Sequence, residues 1–78
     1  MRTITITGTT HSNETITIFG GDGIQYIWQA MDIVTKELRV SGDRYKTFDI
    51  QLMERKGGSN WYADIIIAVH NNNRLSLN

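Results

Sequence analysis

The segment from Trp61 to His70 constrains the fold of this chain more than any other part of it. The segment is rich in β-branched and aromatic residues and predicts a strand. A half-buried strand alternates apolar with polar side chains, whereas this one is apolar on both faces. One face carries Trp61, Ala63, Ile65, Ile67 and Val69, and the other carries Tyr62, Ile66 and Ala68, interrupted by Asp64 and His70. We therefore expect a second copy of the chain or a partner protein to cover the second face.

The length of the chain limits how much core it can build for itself. Its 78 residues predict a single domain, 1–78, with 71–78 as a mobile tail. A core of this size rarely supplies more than ~3–5 kcal/mol, so such domains rely on disulfides, a metal or oligomerisation. The chain has no cysteine and only two histidines, which argues against a metal or other cofactor. Oligomerisation or docking onto a partner is the remaining source of stability.

Charge and hydropathy argue against further classes of protein, namely general nucleic-acid binders, secreted proteins and membrane proteins. Eight basic residues balance eight acidic ones, whereas a general nucleic-acid binder tends to be strongly basic. The N-terminus has no long apolar segment of a secretory signal, and no apolar run approaches the ~20 residues of a membrane helix. The absence of cysteine fits a reducing compartment. We therefore expect a cytoplasmic protein with no membrane partner.

The pattern of the elements predicts an α+β fold. Residues 2–7 and 14–19 each alternate Thr with Ile and predict one hairpin, and the Gly57-Gly58 turn between residues 45–55 and 61–70 predicts another. Between them lies a helix, with Asp22 as its N-cap, Gln25 as the reciprocal partner and Gly42 as a left-handed cap. The order ββαββ predicts a four-stranded antiparallel sheet with one helix packed on one face. Leu75 and Leu77 add a short edge segment as an alternative to a free tail.

The same periodicities predict which side chains meet. The expected core has one group from the strands and one from the helix. These are Ile4, Ile6, Ile16, Ile18, Phe48, Ile50, Leu52, Ile65, Ile67 and Val69 from the strands, and Ile27, Trp28, Met31, Val34 and Leu38 from the helix. The opposite face of the sheet stays open. It is predicted to carry Thr3, Thr5, Thr7, Thr15 and Thr17 beside Gln51, Tyr62, Ile66 and Ala68.

No catalytic set assembles from the sequence. The Gly20–Gly23 turn lacks a complete phosphate-binding fingerprint, and its Asp22 repels anions. The spacing forces neither Asp22 with Asp32 nor Asp49 with Glu54 to form an acid–base pair. The serines lie in turns or in the tail, outside the setting of a nucleophile elbow. We therefore expect a protein that is not an enzyme.

The best candidate for a binding surface lies on the last long strand. Tyr62 and Ile66 form its apolar part, and Trp61 at the start of the strand is a further candidate. Arg55, Lys56 and Asp64 lie nearby in sequence as a polar fringe. A homodimer through the same face is an equally physical use of these residues.

A basic cluster supports an alternative, a weak nucleic-acid-binding domain. Arg39, Arg44 and Lys46 lie around the predicted end of the helix, with Tyr45 among them. Such residues bind phosphate and stack on bases. Cations at the C-terminus of a helix are also favoured by its dipole, so a solvated helix end explains the same pattern.

The second half of the chain, a helix followed by two strands with a Gly-Gly turn, is similar in topology to the dodecins, small helix-on-sheet proteins. The resemblance implies that architecture and no functional residues, because no cofactor-stacking motif is present and the N-terminal hairpin differs. Small cysteine-free chains without catalytic motifs are common among bacteriophage inhibitors, including anti-CRISPR proteins. We therefore expect a phage or mobile-element inhibitor that occludes a surface of another protein or of a protein–nucleic-acid complex.

Overall fold

One helix and five strands make up the described part of the chain. The computed structural model describes residues 2–22, 24, 26–41, 43–70 and 74–77. The elements are β1 (Arg2–Thr10), β2 (Thr15–Gly21), α1 (Ile27–Ser41), β3 (Tyr45–Lys56), β4 (Ser59–His70) and β5 (Arg74–Leu77). All neighbouring strands are antiparallel, in the spatial order β2-β1-β3-β4-β5. The predicted α+β class and the two hairpins are confirmed.

The prediction of a four-stranded sheet is wrong, because the tail contributes β5. Val69 pairs with Leu75 and Ile67 pairs with Leu77 at the edge of the sheet. His70 Nε2 and Ser76 Oγ lie 2.6 Å apart and share a hydrogen bond across the same pair of strands. The alternative edge segment is therefore correct for residues 74–77. The remaining tail residues, 71–73 and 78, lie outside the described part.

The turn between β3 and β4 determines which side chains share a face. Gly57 and Gly58 both have positive φ, at 57° and 86°, as the tight two-residue hairpin turn requires. Pairing continues without a break from Lys56 opposite Ser59 to Thr47 opposite Ala68. Because side chains alternate between faces, this register places every residue of both strands on a definite side of the sheet.

The covered face of the sheet holds the core, and α1 packs there. The helix approaches the two strands at the centre of the sheet, β1 and β3. Ala30, Val34 and Leu38 recur every four residues and form its buried stripe. The buried residues of the core are Ile4, Ile6, Ile24, Ala30, Val34, Leu38, Tyr45, Phe48, Ile50, Leu52 and Ile67. The predicted strand core is confirmed, with Ile16, Ile18, Ile65 and Val69 partly buried at its margin.

The helix begins later than the sequence pattern indicates. Its first residue is Ile27, so the prediction of Asp22 as the N-cap is wrong. The backbone N–H of Tyr26 instead donates to Gln29 Oε1 at 3.0 Å, which is the glutamine half of a capping box one turn further on. The predicted partner Gln25 and the predicted cap Gly42 lie outside the described residues.

Trp28 is the main error in the predicted core. Its side chain is 62% exposed, and its ring stacks on that of Tyr26 with the centroids 6.2 Å apart. Position 28 lies two residues before Ala30, which is nearly the opposite side of a helix from the buried stripe. Ile27, in the first turn, is also exposed. Ile24 and Ala30 occupy the core near the start of the helix instead.

Candidate functional site

The face of the sheet turned away from α1, here called the open face, is organised in rows across β1, β3 and β4. Directly opposite residues of antiparallel strands project to the same side, so each row is a line of neighbouring side chains. The three central rows are Thr3–Met53–Tyr62, Thr5–Gln51–Asp64 and Thr7–Asp49–Ile66. This confirms the prediction that Tyr62 and Ile66 share a side with the threonines and Gln51.

A groove runs between the first two of these rows. Its volume is about 540 Å³, and Leu52 and Ala63 complete its lining. Thr3 and Thr5 lie at its β1 end, and Tyr62 and Asp64 lie at its β4 end. The groove therefore combines an aromatic ring and a thioether with several hydrogen-bond acceptors.

The apolar side chains of the open face remain in contact with water. Tyr62 is 70% exposed, and Ile66 is 43% exposed two rows away. Apolar anchors of this kind, carried by a rigid strand, are typical of protein interfaces. The described part of the chain leaves this face uncovered, whereas the helix covers the other.

Two carboxyl groups lie diagonally across the centre of the open face. Asp49 is opposite Ile66, and Asp64 is opposite Gln51 in the next row. Gln51 Nε2 donates to Asp49 Oδ2 at 3.4 Å, but the buried Oδ1 of Asp49 has no hydrogen-bond partner among the described residues. Burial raises the pKa of Asp49 to about 6, and the neighbouring carboxyl of Asp64 adds to the shift. A proton held between the two carboxyls would satisfy the buried oxygen.

The polar fringe predicted around this surface is divided between the two faces. Arg55 lies opposite Asn60 and shares the open face. Trp61 lies opposite Glu54 on the other side, and a small pocket of about 180 Å³ joins these two residues to Lys56. Trp61 is 62% exposed, so it lies at the surface near the hairpin turn but outside the open face.

Part of the basic cluster of the alternative prediction is buried or paired within the fold. Tyr45 is only 1% exposed, and its hydroxyl donates to Glu37 Oε1 at 3.1 Å. Burial and the neighbouring Glu37 raise the pKa of this hydroxyl. The guanidinium of Arg44 lies 5.6 Å from the centre of the same ring, and Lys46 donates to Asn13. The ring of Tyr45 is therefore closed to base stacking.

What remains of the basic cluster is charge on the surface. Arg39 in the last turn of α1 and Arg44 in the following loop are exposed. A nucleic-acid role would depend on phosphate contacts from these residues without an aromatic platform.

Sequence reasoning missed the pairing of Asp49 with Asp64. The two lie far apart in the chain. Glu54, the acidic residue nearest to Asp49 in sequence, projects to the opposite face and pairs with Arg2 at 3.1 Å. The signal was present in the Gly57-Gly58 turn, because a two-residue hairpin sets the register back to residue 49.

Comparison with known protein families, with curated proteins and with solved structures finds no match. Across the described ranges, no three His, Asp or Glu side chains cluster in a way that would hold a metal ion. In that same part of the chain, the helix is too short and too polar to cross a membrane. The candidate functional features are the groove, the exposed Tyr62 and Ile66, and the carboxyl pair.

Proposed function

We propose that this chain is a non-enzymatic protein-binding module that docks a partner protein on the open face of its sheet. The observation that carries the proposal is the exposure of Tyr62 and Ile66 beside a groove, on a sheet whose other face already holds a complete core. Binding would act by covering a surface of the partner, and it needs no chemical step.

The position of the groove supports this use of the face. It lies over three hydrogen-bonded strands, with β3 and β4 paired without a break from Thr47 opposite Ala68 to Lys56 opposite Ser59. Anchors on such strands lose little freedom on binding, because the backbone is already ordered. Covering Tyr62 and Ile66 would also remove apolar surface from water, which would stabilise the complex by ~25 cal/mol for each Å² buried.

A homodimer through the open face is the second candidate, and the carboxyl pair makes it dependent on pH. A two-fold axis through the centre of the face would bring Asp49 and Asp64 of both copies together. Four carboxyl groups in one interface repel each other unless they share protons. Self-association is therefore expected below about pH 6, where Asp49 is protonated, rather than at neutral pH.

The finer class, a phage or mobile-element inhibitor of the anti-CRISPR kind, stays a prediction from the size of the chain and its lack of catalytic motifs. It fits a module that acts by occlusion, because such a module needs only a stable surface. Its partner would be a protein or a protein–nucleic-acid complex of the host.

The test compares two substitutions that place the same charge on two exposed apolar sites. Ile66→Glu changes the open face, and Val40→Glu changes the solvent side of α1, where Val40 is 76% exposed. Each variant and the wild type would be immobilised and exposed to host lysate at pH 7.5, and the retained proteins would be identified by mass spectrometry. We expect a protein that the wild type and Val40→Glu retain and Ile66→Glu loses.

Light scattering over a dilution series at pH 5 and pH 7.5 would measure self-association of the same three proteins. If Ile66→Glu folds and retains every protein that Val40→Glu retains, with the same assembly state, the open face is not the docking surface.

A further inference from the structure

We propose that the groove on the open face receives an arginine side chain presented by the partner protein. The inference rests on the proposed function, because it specifies what the partner must bring to that face. Its basis is the placement of Asp64 and Tyr62 two residues apart on β4, on one side of a groove large enough for a single long side chain.

The carboxyl groups make a purely apolar partner unsuitable. A surface that covered Ile66 and Tyr62 would also remove water from Asp64, which is exposed, and from the already half-buried Asp49. Burying an ionised carboxylate without a partner costs several kcal/mol, which would offset the gain from apolar contact. A cation from the partner removes that cost, so charge complementarity selects a basic partner side chain.

The lining of the groove fits a guanidinium better than an ammonium. Successive rows along a strand pair lie about 6.7 Å apart, so one planar group can lie against the Tyr62 ring and still reach Asp64. Gln51 uses its amide nitrogen toward Asp49, which leaves its oxygen to accept. Arginine has five donors in a fixed plane, whereas lysine has three at one point.

The fit also accounts for the threonines at the far end of the groove. The aliphatic part of an arginine side chain needs an apolar channel with a polar rim. Thr3 and Met53 supply methyl and thioether surface in the row next to the acceptors. The guanidinium would therefore lie at the β4 end of the groove, beside Tyr62 and Asp64, and the stem would extend past Met53 toward Thr3.

The experiment uses three small probes in place of the partner. N-acetyl-arginine amide, N-acetyl-lysine amide and the uncharged isostere N-acetyl-citrulline amide would be titrated into the ¹⁵N-labelled chain at pH 7.5. We expect the arginine probe to shift the amide signals of Gln51, Met53, Tyr62 and Asp64, with a dissociation constant of the order of millimolar. The lysine probe should bind more weakly, and the citrulline probe should produce no saturable shift.

Two variants and a control separate the groove from general charge attraction. Asp64→Asn should weaken binding of the arginine probe by roughly ten-fold, the scale of one charge-assisted contact, and Tyr62→Leu by several-fold. Asp32→Asn, an exposed site on α1, removes the same charge elsewhere and should leave binding unchanged. The dispersed amide spectrum of each variant confirms that it is folded.

The outcomes distinguish this inference from the proposed function. If none of the probes shifts the groove signals, or if Asp32→Asn weakens binding as much as Asp64→Asn, the arginine site is overturned. Should Ile66→Glu then still lose a protein that Val40→Glu retains, the docking face stands without an arginine site. Equal binding of the citrulline and arginine probes would also overturn the proposal, because a cation would not be required.

Discussion

The two faces of the sheet use the same three central strands for opposite purposes. On the covered face, Ile6 and Ile50 lie side by side with no exposure to water, beneath the helix. On the open face, the neighbouring row places Thr7, Asp49 and Ile66 in contact with solvent. The difference shows that the apolar residues of β4 lie in two environments. Ile67 is buried in the core and Ile65 and Val69 pack against it, whereas Tyr62 and Ile66 remain in contact with water.

The largest expected difference between the faces is in the stability lost when an isoleucine is truncated. Ile50→Ala should lower the free energy of unfolding by about 2–5 kcal/mol, because it leaves a cavity in a closed core. Ile66→Ala should lower it by less than about 1 kcal/mol, since Ile66 is already partly in water. Urea unfolding followed by circular dichroism measures both.

A loss of that size can exceed the stability that a domain of this length possesses. Ile50→Val, expected to cost about 0.5–1.5 kcal/mol, keeps the comparison measurable against Ile66→Val. Equal losses at positions 50 and 66 would mean that the isolated chain buries both faces.

A second comparison sets two glycines of the first hairpin against each other. A Cβ at Gly8 would lie 2.5 Å from two ring carbons of Tyr45, whereas one at Gly20 would meet no atom within 4 Å. Gly8→Ala should therefore destabilise the chain by about 1–3 kcal/mol, and Gly20→Ala should stabilise it slightly or have no effect. Thermal unfolding of both variants measures this.

The Gly8 result can be assigned to the ring of Tyr45 with a double-mutant cycle. In a Tyr45→Leu background, Gly8→Ala should destabilise the chain clearly less, because a smaller and more flexible side chain replaces the rigid ring. An unchanged cost would show that the close approach of β1 to the ring is not the cause.

The carboxyl pair gives the open face a pH dependence of stability that the core lacks. The pKa of Asp49 is raised to about 6 from 3.8, so the folded state binds the proton more tightly than the unfolded chain does. This contribution to stability is complete below about pH 4 and is lost as the pH rises to about 6. Asp49→Asn should therefore stabilise the chain at pH 7 by about 1–2 kcal/mol, below the ceiling of ~3 kcal/mol that such a shift allows.

Unfolding curves of the wild type and of Asp49→Asn between pH 4 and pH 7 would show this as a flatter profile for the variant. Asp32→Asn is the matched control, and its profile should follow that of the wild type. A parallel slope for Asp49→Asn and the wild type would mean that folding does not raise the pKa of Asp49.

The smallest effect is expected at the residue that the helical pattern placed in the core. Trp28→Ala should change the free energy of unfolding by less than about 1 kcal/mol, because the indole is largely in water. Leu38→Ala, on the buried stripe of the same helix, should cost about 2–5 kcal/mol. An equal loss of stability for the two variants would show that the side chain of Trp28 is buried in the core.

The parts of the fold that follow from local pattern were predictable. Alternation of Thr with Ile gave the inner and outer faces of β1, and the Gly57-Gly58 turn gave the second hairpin. The start of the helix was not predictable in this way, because Asp22 satisfied the capping rule in sequence while Gln29 satisfied it in the fold. Periodicity alone placed Trp28 wrongly, since its spacing from Val34 and Leu38 fits more than one choice of buried stripe.

The sequence predicted Tyr62, Ile66 and Asp64 as members of the candidate site but missed the pairing of Asp64 with Asp49. Tyr62 and Ile66 stood out because they break the alternation of a half-buried strand. The carboxyl pair needed the register of two strands, and the burial of Tyr45 needed its contacts with Phe48 and Glu37. Such long-range contacts are not encoded in the spacing of neighbouring residues.

The most direct test of the docking face is oxidative footprinting of the chain alone and in complex with the partner that it retains from the host. Tyr62 on the open face and Trp28 on the helix side are both well exposed in the isolated chain, so both should react with hydroxyl radicals. The complex should protect Tyr62 and leave Trp28 reactive. Protection of Trp28 with an unchanged rate at Tyr62 would contradict this prediction, because the partner would then cover the helix rather than the open face.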